Sequence, residues 1–363
     1  MTLQDLANYQ SALRLPVQGS YRGYVIKAVA PPSSGGLTMI QMMKMLERFP
    51  LGDTTQGFGF GALKTANVMA DAMRIAFADR AVWMGDDDFV PVPKRGLLDP
   101  TYTGQRGAAI VPGQRLTPNP VAADPRPFEV AGLEPATRMA VAEPIDGPGE
   151  TTTHFSVVDK AGNMVSYTNT IESSHGIGVF AGYKPDGVNR KSFGFLLNNE
   201  LTDFNIAPTV NAFTGSAGYN DVQPGKRPRS SMNPAMIFTP DGKPLVAFGS
   251  PGGATITNSV LNVALNLIDH KMTIQQAIDA PRLSVTSPGA VVAGVQVVNV
   301  AVDPGFPEAI IDGLRAQGYT VPAPGAIGSV QAVLVDPKTG KQYGAADARR
   351  EGTVIGLPRS QSK

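Results

Sequence analysis

Three consecutive threonines, Thr151 to Thr153, stand where a proline-rich stretch ends and a strand-like sequence, THFSVVD (153–159), begins. β-branched residues are common in strands, so a purely structural role at a strand edge is one interpretation. A threonine hydroxyl becomes a nucleophile when a base removes its proton. The α-amine of the same residue can be that base, because its pKa is roughly 8. That amine is free only after the preceding peptide bond is cut, so the other interpretation is chain cleavage followed by acyl transfer.

The segment before the threonines has a composition that is compatible with cleavage of the chain at its end. Prolines occur at positions 112, 118, 120, 125, 127, 135, 144 and 148, and no apolar period runs through residues 111–150. We therefore predict an extended, mobile connector over residues 111–151, because frequent prolines and the lack of an apolar face oppose regular structure. After a cut, the freed carboxyl end of such a connector can leave the pocket and admit a substrate.

Two adjacent glycines supply a second element of acyl-transfer chemistry. Gly252 and Gly253, in GSPGG (249–253), lie between a predicted strand and a predicted helix. Their backbone N–H groups can stabilise the oxyanion of a tetrahedral intermediate, since no side chain obstructs them and a helix N-terminus favours negative charge. An ordinary strand-to-helix turn is the alternative interpretation.

Paired hydroxyls and paired carboxylates can bind the two charged ends of an amino acid. Ser230 and Ser231 follow three cations in KRPRSSMNP, so their hydroxyls can hold a carboxylate. Glu200 and Asp203 are three residues apart in NNELTDF, where they can face a substrate ammonium together, and Glu172 can join them from beyond the hairpin. Capping serines on a solvated loop and acids on a surface turn are the alternatives.

The periodic segments predict the elements that carry these residues. Helices over 36–49 and 62–83, around one strand region at 19–30, precede the connector. A hairpin over 153–159 and 164–171 follows it. Later strands are predicted over 193–198, 234–239, 245–250, 295–301 and 329–336, and later helices over 254–270, 273–280 and 307–317. This order predicts an α+β domain of stacked sheets covered by helices.

Composition excludes several classes of function. The 31 basic and 30 acidic residues leave a net charge of +1, so nothing favours nucleic acid or an anionic membrane. The chain has no cysteine, which excludes thiol catalysis and disulfides. The histidines lack metal-ligand spacing, and MGDDDF (84–89) predicts a solvated loop. No apolar run approaches the ~20 residues of a membrane span. We predict no cofactor and no metal.

Five motifs together resemble those of the γ-glutamyltransferases. TTHFSVVDKAGNMVSYTNTI, LLNNELTDF, KRPRSSM, GSPGG and YGAADARR occur in the order and approximate spacing of that family. The resemblance implies an N-terminal-nucleophile hydrolase, a four-layer αββα sandwich. Residues 1–151 resemble the C-terminal part of the large subunit and residues 152–363 the whole small subunit, together one domain. The N-terminal part of the large subunit, with its carboxylate-binding arginine, has no counterpart, so we expect a partial sequence or a shortened protein.

The resemblance also implies a role for each candidate residue. Thr152, the first threonine of TTH, corresponds to the nucleophile, and self-cleavage would separate Thr151 from Thr152. Thr170 corresponds to the residue that orients the nucleophile. The other implied roles are the oxyanion hole for Gly252 and Gly253, the α-amino site for Glu172, Glu200 and Asp203, and the α-carboxylate site for Ser230 and Ser231.

The activity implied by the resemblance is transfer or hydrolysis of γ-glutamyl groups from glutathione and related amides. An amino acid, a peptide or water would accept the group, and large and small chains cut from one precursor would form a heterodimer. A glutaryl-type cephalosporin acylase or a poly-γ-glutamate-cleaving enzyme is an alternative with the same chemistry. A catalytically silent fragment that serves as a binding or structural body is another. Members are often periplasmic or secreted, and no export signal lies in this chain.

Overall fold

The computed structural model describes residues 2–129, 151–183, 188 and 191–356. The helices of these residues are α1 (Leu3–Asn8), α2 (Gly35–Leu46), α3 (Leu63–Trp83), α4 (Lys94–Leu98), α5 (Pro100–Gly107), α6 (Arg126–Glu129), α7 (Thr255–Ile268), α8 (Ile274–Asp279) and α9 (Glu308–Ala316). The strands are β1 (Val17–Tyr21), β2 (Tyr24–Ala28), β3 (Thr153–Val158), β4 (Met164–Asn169), β5 (Phe180–Tyr183), β6 (Lys191–Leu196), β7 (Ala235–Phe238), β8 (Pro244–Gly249), β9 (Leu283–Ser284), β10 (Ala290–Val292), β11 (Val295–Val297), β12 (Ala301–Val302), β13 (Gln331–Val335) and β14 (Gln342–Ala346). None of the helices described is both long and apolar enough to cross a membrane.

A six-stranded antiparallel sheet joins the two parts of the chain. Its strand order is β1-β2-β7-β8-β13-β14, so strands that precede Thr152 pair directly with strands that follow it. The prediction of one strand over 19–30 was wrong. The segment forms the β1–β2 hairpin, because Arg22 and Gly23 both take positive φ, 48° and 84°, and close a two-residue turn. The predicted strand 295–301 is likewise divided into β11 and β12.

Helices α2, α3 and α7 build the core beside this sheet. Helix α3 is buried almost all round, since α2 and α9 pack against it. Its charged side chains are paired inside the core. Asp71 bonds Arg74 at 2.7 Å, and Asp79 bonds Arg106 at 2.8 Å. A helix enclosed on all sides tolerates such charges only when they are paired and hydrogen-bonded.

The β3–β4 hairpin forms a further layer against the other strands. It packs on β8 and β13, with the His154 ring directly over Gly249 and the Ser166 hydroxyl donating to the carbonyl of Phe248 at 2.9 Å. Side chains that point toward β8 and β13 form what we call the covered face: His154, Ser156, Ser166 and Thr168. Side chains on the opposite side form the open face and are about half exposed: Phe155, Val157, Val165 and Tyr167.

This helix–sheet–sheet arrangement confirms the predicted α+β class.

Residues 111–129, the first part of the predicted connector, pack against α3 and α5. Trp83 Nε1 donates to the carbonyl of Ala123 at 2.7 Å, and Arg106 Nη2 donates to that of Val121 at 2.9 Å. The rest of the predicted connector, 130–150, lies outside the described residues.

Candidate active site

The hydroxyl of Thr152 is held by a second threonine. Thr152 begins the β3 side of the hairpin and is 6% exposed. Its Oγ1 donates to Thr170 Oγ1 at 3.0 Å, and Thr170 Oγ1 in turn accepts from the backbone N–H of Glu172 at 2.8 Å. Because Glu172 fixes the Thr170 oxygen, the Thr152 hydroxyl has one defined partner and one defined direction.

Thr151 is bound to the same turn. Its backbone N–H donates to the carbonyl of Glu172 at 3.0 Å, and its Oγ1 donates to the carbonyl of Ser173 at 2.9 Å. Both sides of the Thr151–Thr152 peptide bond are therefore anchored on residues 170–173. Glu172 itself takes a positive φ of 73°, which is uncommon for a residue with a side chain and lets its N–H and C=O serve different partners.

His154 lies two residues from Thr152 but is already engaged. Its Nδ1 is 2.8 Å from Thr168 Oγ1, and its Nε2 is 3.0 Å from Ser156 Oγ. Burial without a compensating charge lowers the pKa of this imidazole to about 3, so it is neutral at physiological pH. The ring supports the covered face of the hairpin and is not placed as a base for Thr152.

Three carboxyl groups meet beside the turn that holds Thr152. Oxygens of Glu172, Glu200 and Asp203 lie within 4.8 Å of one another. Among the residues that the structure describes, Glu200 Oε1 is a buried oxygen with no hydrogen-bond partner. Burial, and then the nearby Glu172 charge, raise the pKa of Glu200 to about 7. A cation would relieve both effects, and a substrate ammonium or a metal ion has the required charge.

The other acidic cluster, Asp86 to Asp88, already has cationic partners. Arg14 pairs with all three carboxylates, and Lys94 pairs with Asp87 at 2.7 Å. The prediction of a solvated loop is wrong for Asp86, whose side chain is fully buried and also accepts from the backbone N–H of Arg227.

Two asparagines, the partly buried Asn199 and the buried Asn220, join the carboxylates to the rest of the site. Asn199 bonds the backbone N–H and the hydroxyl of Ser173, both at 2.9 Å, and so ties the 199–203 turn to the residues that hold Thr170. Asn220 donates to the carbonyl of Asp203 at 2.7 Å and accepts from the N–H of Arg229 at 2.9 Å. A continuous set of hydrogen bonds therefore runs from Thr152 to the segment that contains Ser230.

The serine pair contacts a buried arginine. Arg80 of α3 donates from Nη2 to Ser231 Oγ at 2.7 Å and from Nε to Ser34 Oγ at 2.8 Å. Ser230 is 8% exposed, and its hydroxyl accepts from the backbone N–H of Met232 at 3.2 Å. The serines are thus not on a solvated loop, and a guanidinium stands beside them as a carboxylate site requires.

Gly252 and Gly253 form the turn between β8 and α7. Both have positive φ, 134° and 50°, and the carbonyls of both accept the first bonds of the helix. Within the described ranges their two N–H groups have no hydrogen-bond acceptor. The adjoining Pro251 lines a cavity of about 580 Å³ that Thr152 also lines. Free amides near a buried hydroxyl are what an oxyanion hole needs.

Hydrogen bonds link Thr152 and Thr170 to the carboxyl cluster and the serine segment, whereas the glycine turn is linked to Thr152 by the cavity that Pro251 lines. The structure also adds residues that the sequence did not indicate. Those additions are Asn199, Asn220 and Arg80. Arg80 lies in helix α3 among several other polar and charged residues, so the sequence gives no specific signal for it. The asparagines act through contacts between distant segments, which no local pattern reveals.

The family model described as gamma-glutamyltranspeptidase matches residues 1–357. The glutathione hydrolase proenzyme of Bacillus subtilis (strain 168) is 37% identical over 358 residues, which cover 98% of this chain and 55% of that relative. The acylase ACY 1 proenzyme of Pseudomonas sp. (strain SE83) is 35% identical over 354 residues, covering 97% and 54%.

Solved structures agree on the fold. The crystal structure of cephalosporin acylase from Bacillus halodurans matches with a TM-score of 0.75 and 23% identity, over 99% of this chain and 56% of that one. The chain belongs to the gamma-glutamyltranspeptidase family. It spans about half the length of the relatives it matches.

Proposed function

We propose that this chain is the catalytic part of an enzyme that hydrolyses or transfers γ-glutamyl groups, with Thr152 as the nucleophile. The observation that carries the proposal is the Thr152 hydroxyl, buried and bonded to Thr170 at 3.0 Å. The turn that holds this hydroxyl also carries Glu172, whose carboxyl oxygen lies within 4.8 Å of those of Glu200 and Asp203. A reactive hydroxyl and an ammonium site are the two requirements for a γ-glutamyl substrate.

The first step is self-cleavage between Thr151 and Thr152. The Thr152 oxygen bonds to the carbonyl carbon of Thr151 as the C–N bond breaks, and the nitrogen takes up the hydroxyl proton. Water then hydrolyses the resulting ester, leaving a carboxyl group on Thr151 and a free amine on Thr152. The anchoring of both residues on the 170–173 turn favours this attack, because it limits the motion of the reacting groups.

Turnover uses the freed amine as the base. It accepts the hydroxyl proton while the Thr152 oxygen bonds to the γ-carbonyl carbon of the substrate, and the leaving amine then receives that proton. The N–H groups of Gly252 and Gly253 stabilise the oxyanion of the tetrahedral intermediate. Water, or the amine of an amino acid or peptide, attacks the acyl-enzyme and restores the hydroxyl.

Recognition of the glutamyl group divides between two clusters. Glu172, Glu200 and Asp203 bind the α-ammonium, and Ser230 and Ser231 bind the α-carboxylate. Arg80 supports the carboxylate site through its bond to Ser231. Glutathione is the substrate that we propose first.

After cleavage the two chains would stay together as a heterodimer. Strand β2, from residues 1–151, pairs with β7, from residues 152–363, in the middle of the six-stranded sheet. Separation would break these backbone hydrogen bonds and open the core between α2 and α7.

Replacing the nucleophile tests this proposal. We expect Thr152→Ala to remain one chain and to release no amine from γ-glutamyl-p-nitroanilide. The unsubstituted protein should yield residues 1–151 and 152–363 by mass spectrometry. Thr153→Ala is the matched control, since Thr153 is exposed on β3, and it should cleave normally. Two processed chains from Thr152→Ala, or one uncleaved and inactive chain from the unsubstituted protein, would overturn the proposal in favour of another nucleophile or of a silent fragment.

An acylase or a poly-γ-glutamate-cleaving enzyme is the second candidate, and the similarity to the ACY 1 acylase favours the former. A glutaryl group has no α-ammonium, so it would bring no positive charge to the buried carboxyl group of Glu200. We therefore expect kcat/KM for the γ-glutamyl anilide to exceed that for the glutaryl anilide. The reverse order would favour the acylase.

A further inference from the structure

The motif YGAADARR supplies half of a buried ion cluster that the proposed reaction does not use. Asp347 and Arg349 come from this motif, and Arg282 and Asp303 come from earlier segments. Arg282 pairs with Asp347 at 2.7 Å, and Arg349 pairs with Asp303 at 2.7 Å and with Asp347 at 3.0 Å. The side chains of Arg282, Asp303 and Asp347 are fully buried. We call these four residues the Arg–Asp quartet.

The quartet binds the backbone of one short segment, residues 327–330. Asp303 Oδ1 accepts from the N–H of Ile327 at 2.7 Å, and Arg282 Nη1 donates to the carbonyl of Ile327 at 2.8 Å. Asp347 Oδ2 accepts from the N–H of Val330 at 2.8 Å. Three backbone groups of a four-residue segment are therefore held by buried charges, whose hydrogen bonds are stronger than those of neutral groups.

The opposite side of this segment supports the glycine turn. The N–H of Ser329 donates to Ser250 Oγ at 2.9 Å, and Ser250 Oγ donates to the carbonyl of Pro251 at 2.6 Å. A Cβ on Gly252 would lie 3.1 Å from the Cα of Gly328, so the two backbones touch. Residues 327–330 thus lie between the Arg–Asp quartet and the turn that carries Gly252.

We propose that the Arg–Asp quartet is a positioning element that fixes the amides of Gly252 and Gly253 through residues 327–330. This inference rests on the proposed function, in which those amides stabilise the oxyanion. Oxyanion donors act only when they are held at the right place before the reaction, because reorganisation during the step would cancel the gain. The quartet touches no substrate group in this scheme, so its members are not catalytic residues.

Asp347→Asn is the variant that tests the proposal, and Asp71→Asn is its matched control. Both aspartates are fully buried, and each pairs with an arginine at 2.7 Å, but Asp71 bonds Arg74, Tyr319 and Leu116 instead of residues 327–330. A general loss of core stability should affect both variants alike. Loss of positioning should appear only in Asp347→Asn.

Two measurements on the full chain distinguish this inference from the proposed function. Hydrogen exchange by mass spectrometry should show amides of residues 249–256 exchanging at least tenfold faster in Asp347→Asn than in Asp71→Asn. With γ-glutamyl-p-nitroanilide, Asp347→Asn should lower kcat at least tenfold with KM within threefold, whereas Asp71→Asn should change neither more than twofold. Absence of turnover in the unsubstituted protein would overturn the proposed function, and the exchange result would still test the positioning.

The inference is overturned if residues 249–256 exchange equally in the two variants, or if kcat falls equally in both. If Asp347→Asn does not fold, Arg349→Lys replaces it, because lysine keeps the charge but cannot bond Asp303 and Asp347 together as Arg349 does. We then expect the same pattern with a smaller amplitude. The proposal is contradicted if hydrogen exchange at residues 249–256 is unchanged in Arg349→Lys.

Discussion

The β3–β4 hairpin and the β8–α7 turn border the same cavity but are supported in different ways. The hairpin presents Thr152, and the described residues cover only one of its faces, so Phe155, Val157, Val165 and Tyr167 are about half exposed. The turn presents Gly252 and Gly253, and its neighbours Ser250, Ser259 and Ser329 are completely enclosed. The β8–α7 turn, which would stabilise the negative charge of the oxyanion, is thus more firmly fixed than the hairpin.

The hairpin also reverses the usual distribution of polar and apolar residues. A strand pair on a core normally places its apolar side chains inward. Here the covered face is polar, and it is satisfied by specific bonds such as His154 to Thr168 and Ser166 to the Phe248 carbonyl. The apolar residues lie on the open face, where Phe155 and Tyr167 stack at 4.9 Å. Hydrogen bonds such as that of Ser166, more than apolar burial, therefore hold the β3–β4 hairpin to the main sheet.

The turn and the hairpin also differ in how their buried carboxyl groups are stabilised, as Asp347 and Glu200 show. Burial opposes ionisation of Asp347, but Arg282 and the amides of Arg349 and Val330 outweigh it and keep its pKa below the ordinary value. No cation among the described residues pairs with Glu200, and burial with the Glu172 charge raises its pKa to about 7. Opposite charges stabilise the turn side, whereas the hairpin side carries an electrostatic cost that a bound cation would remove.

The largest effect is expected from crowding the enclosed turn. Gly252 has φ +134°, and a Cβ there would lie 2.7 Å from Thr255 Oγ1. Gly252→Ala should lower turnover of a γ-glutamyl anilide on the order of 10²–10³-fold, the effect of one lost oxyanion donor. Backbone strain should also lower the free energy of unfolding by about 1–3 kcal/mol.

Gly242→Ala is the control for that variant. Gly242 also has positive φ, +81°, but a Cβ there would meet nothing within 4 Å. We expect it to lose some stability in urea unfolding and to keep its turnover. Equal turnover in the two variants would contradict the enclosure of the Gly252 turn.

An intermediate effect is expected from the carboxylate cluster. The folded-state pKa of Glu200, about 7, lies above its ordinary value of 4.5, so the protonated form is the one that folding favours. Its stabilising contribution is present below pH 4.5 and is lost as the pH rises through 7, by at most about 3 kcal/mol. Glu200→Gln should therefore be more stable than the unsubstituted protein at pH 8 and nearly equal to it at pH 4.

Urea unfolding of both proteins at the two pH values measures this difference. Glu172→Gln should give an intermediate result, because it removes the like charge but leaves Glu200 buried. A Glu200→Gln protein that is no more stable than the unsubstituted one at pH 8 would show that the cluster carries no such cost.

The smallest effect distinguishes the two faces of the hairpin. Ser166→Ala removes the bond to the Phe248 carbonyl on the covered face and should cost about 1 kcal/mol. The neighbouring Val165→Thr, on the open face, should change the free energy of unfolding by no more than about 0.5 kcal/mol. If Val165→Thr costs as much as Ser166→Ala in urea unfolding, the open face is covered in solution.

Much of the fold was predictable because local patterns dominate within single elements. The β3–β4 hairpin and helix α7 lie within a few residues of their predicted bounds. The β1–β2 hairpin was missed because its turn, Arg22–Gly23, places a charged residue at positive φ, which composition alone does not indicate. The polar covered face of β3–β4 was not predictable either. The alternation of polar and apolar residues shows that the hairpin has two different faces, but it does not show which of them the core covers.

The amino-acid sequence by itself determined the residue types of the site: a threonine run, adjacent glycines, paired serines and clustered acids in a fixed order. These features are local, and their chemistry follows from the side chains. Only the tertiary structure decided that the N–H of Glu172 fixes Thr170, that Asn199 and Asn220 connect the clusters, and that the Arg–Asp quartet lies behind the glycine turn. Such contacts join residues far apart in the chain, and packing alone brings their atoms within hydrogen-bond distance.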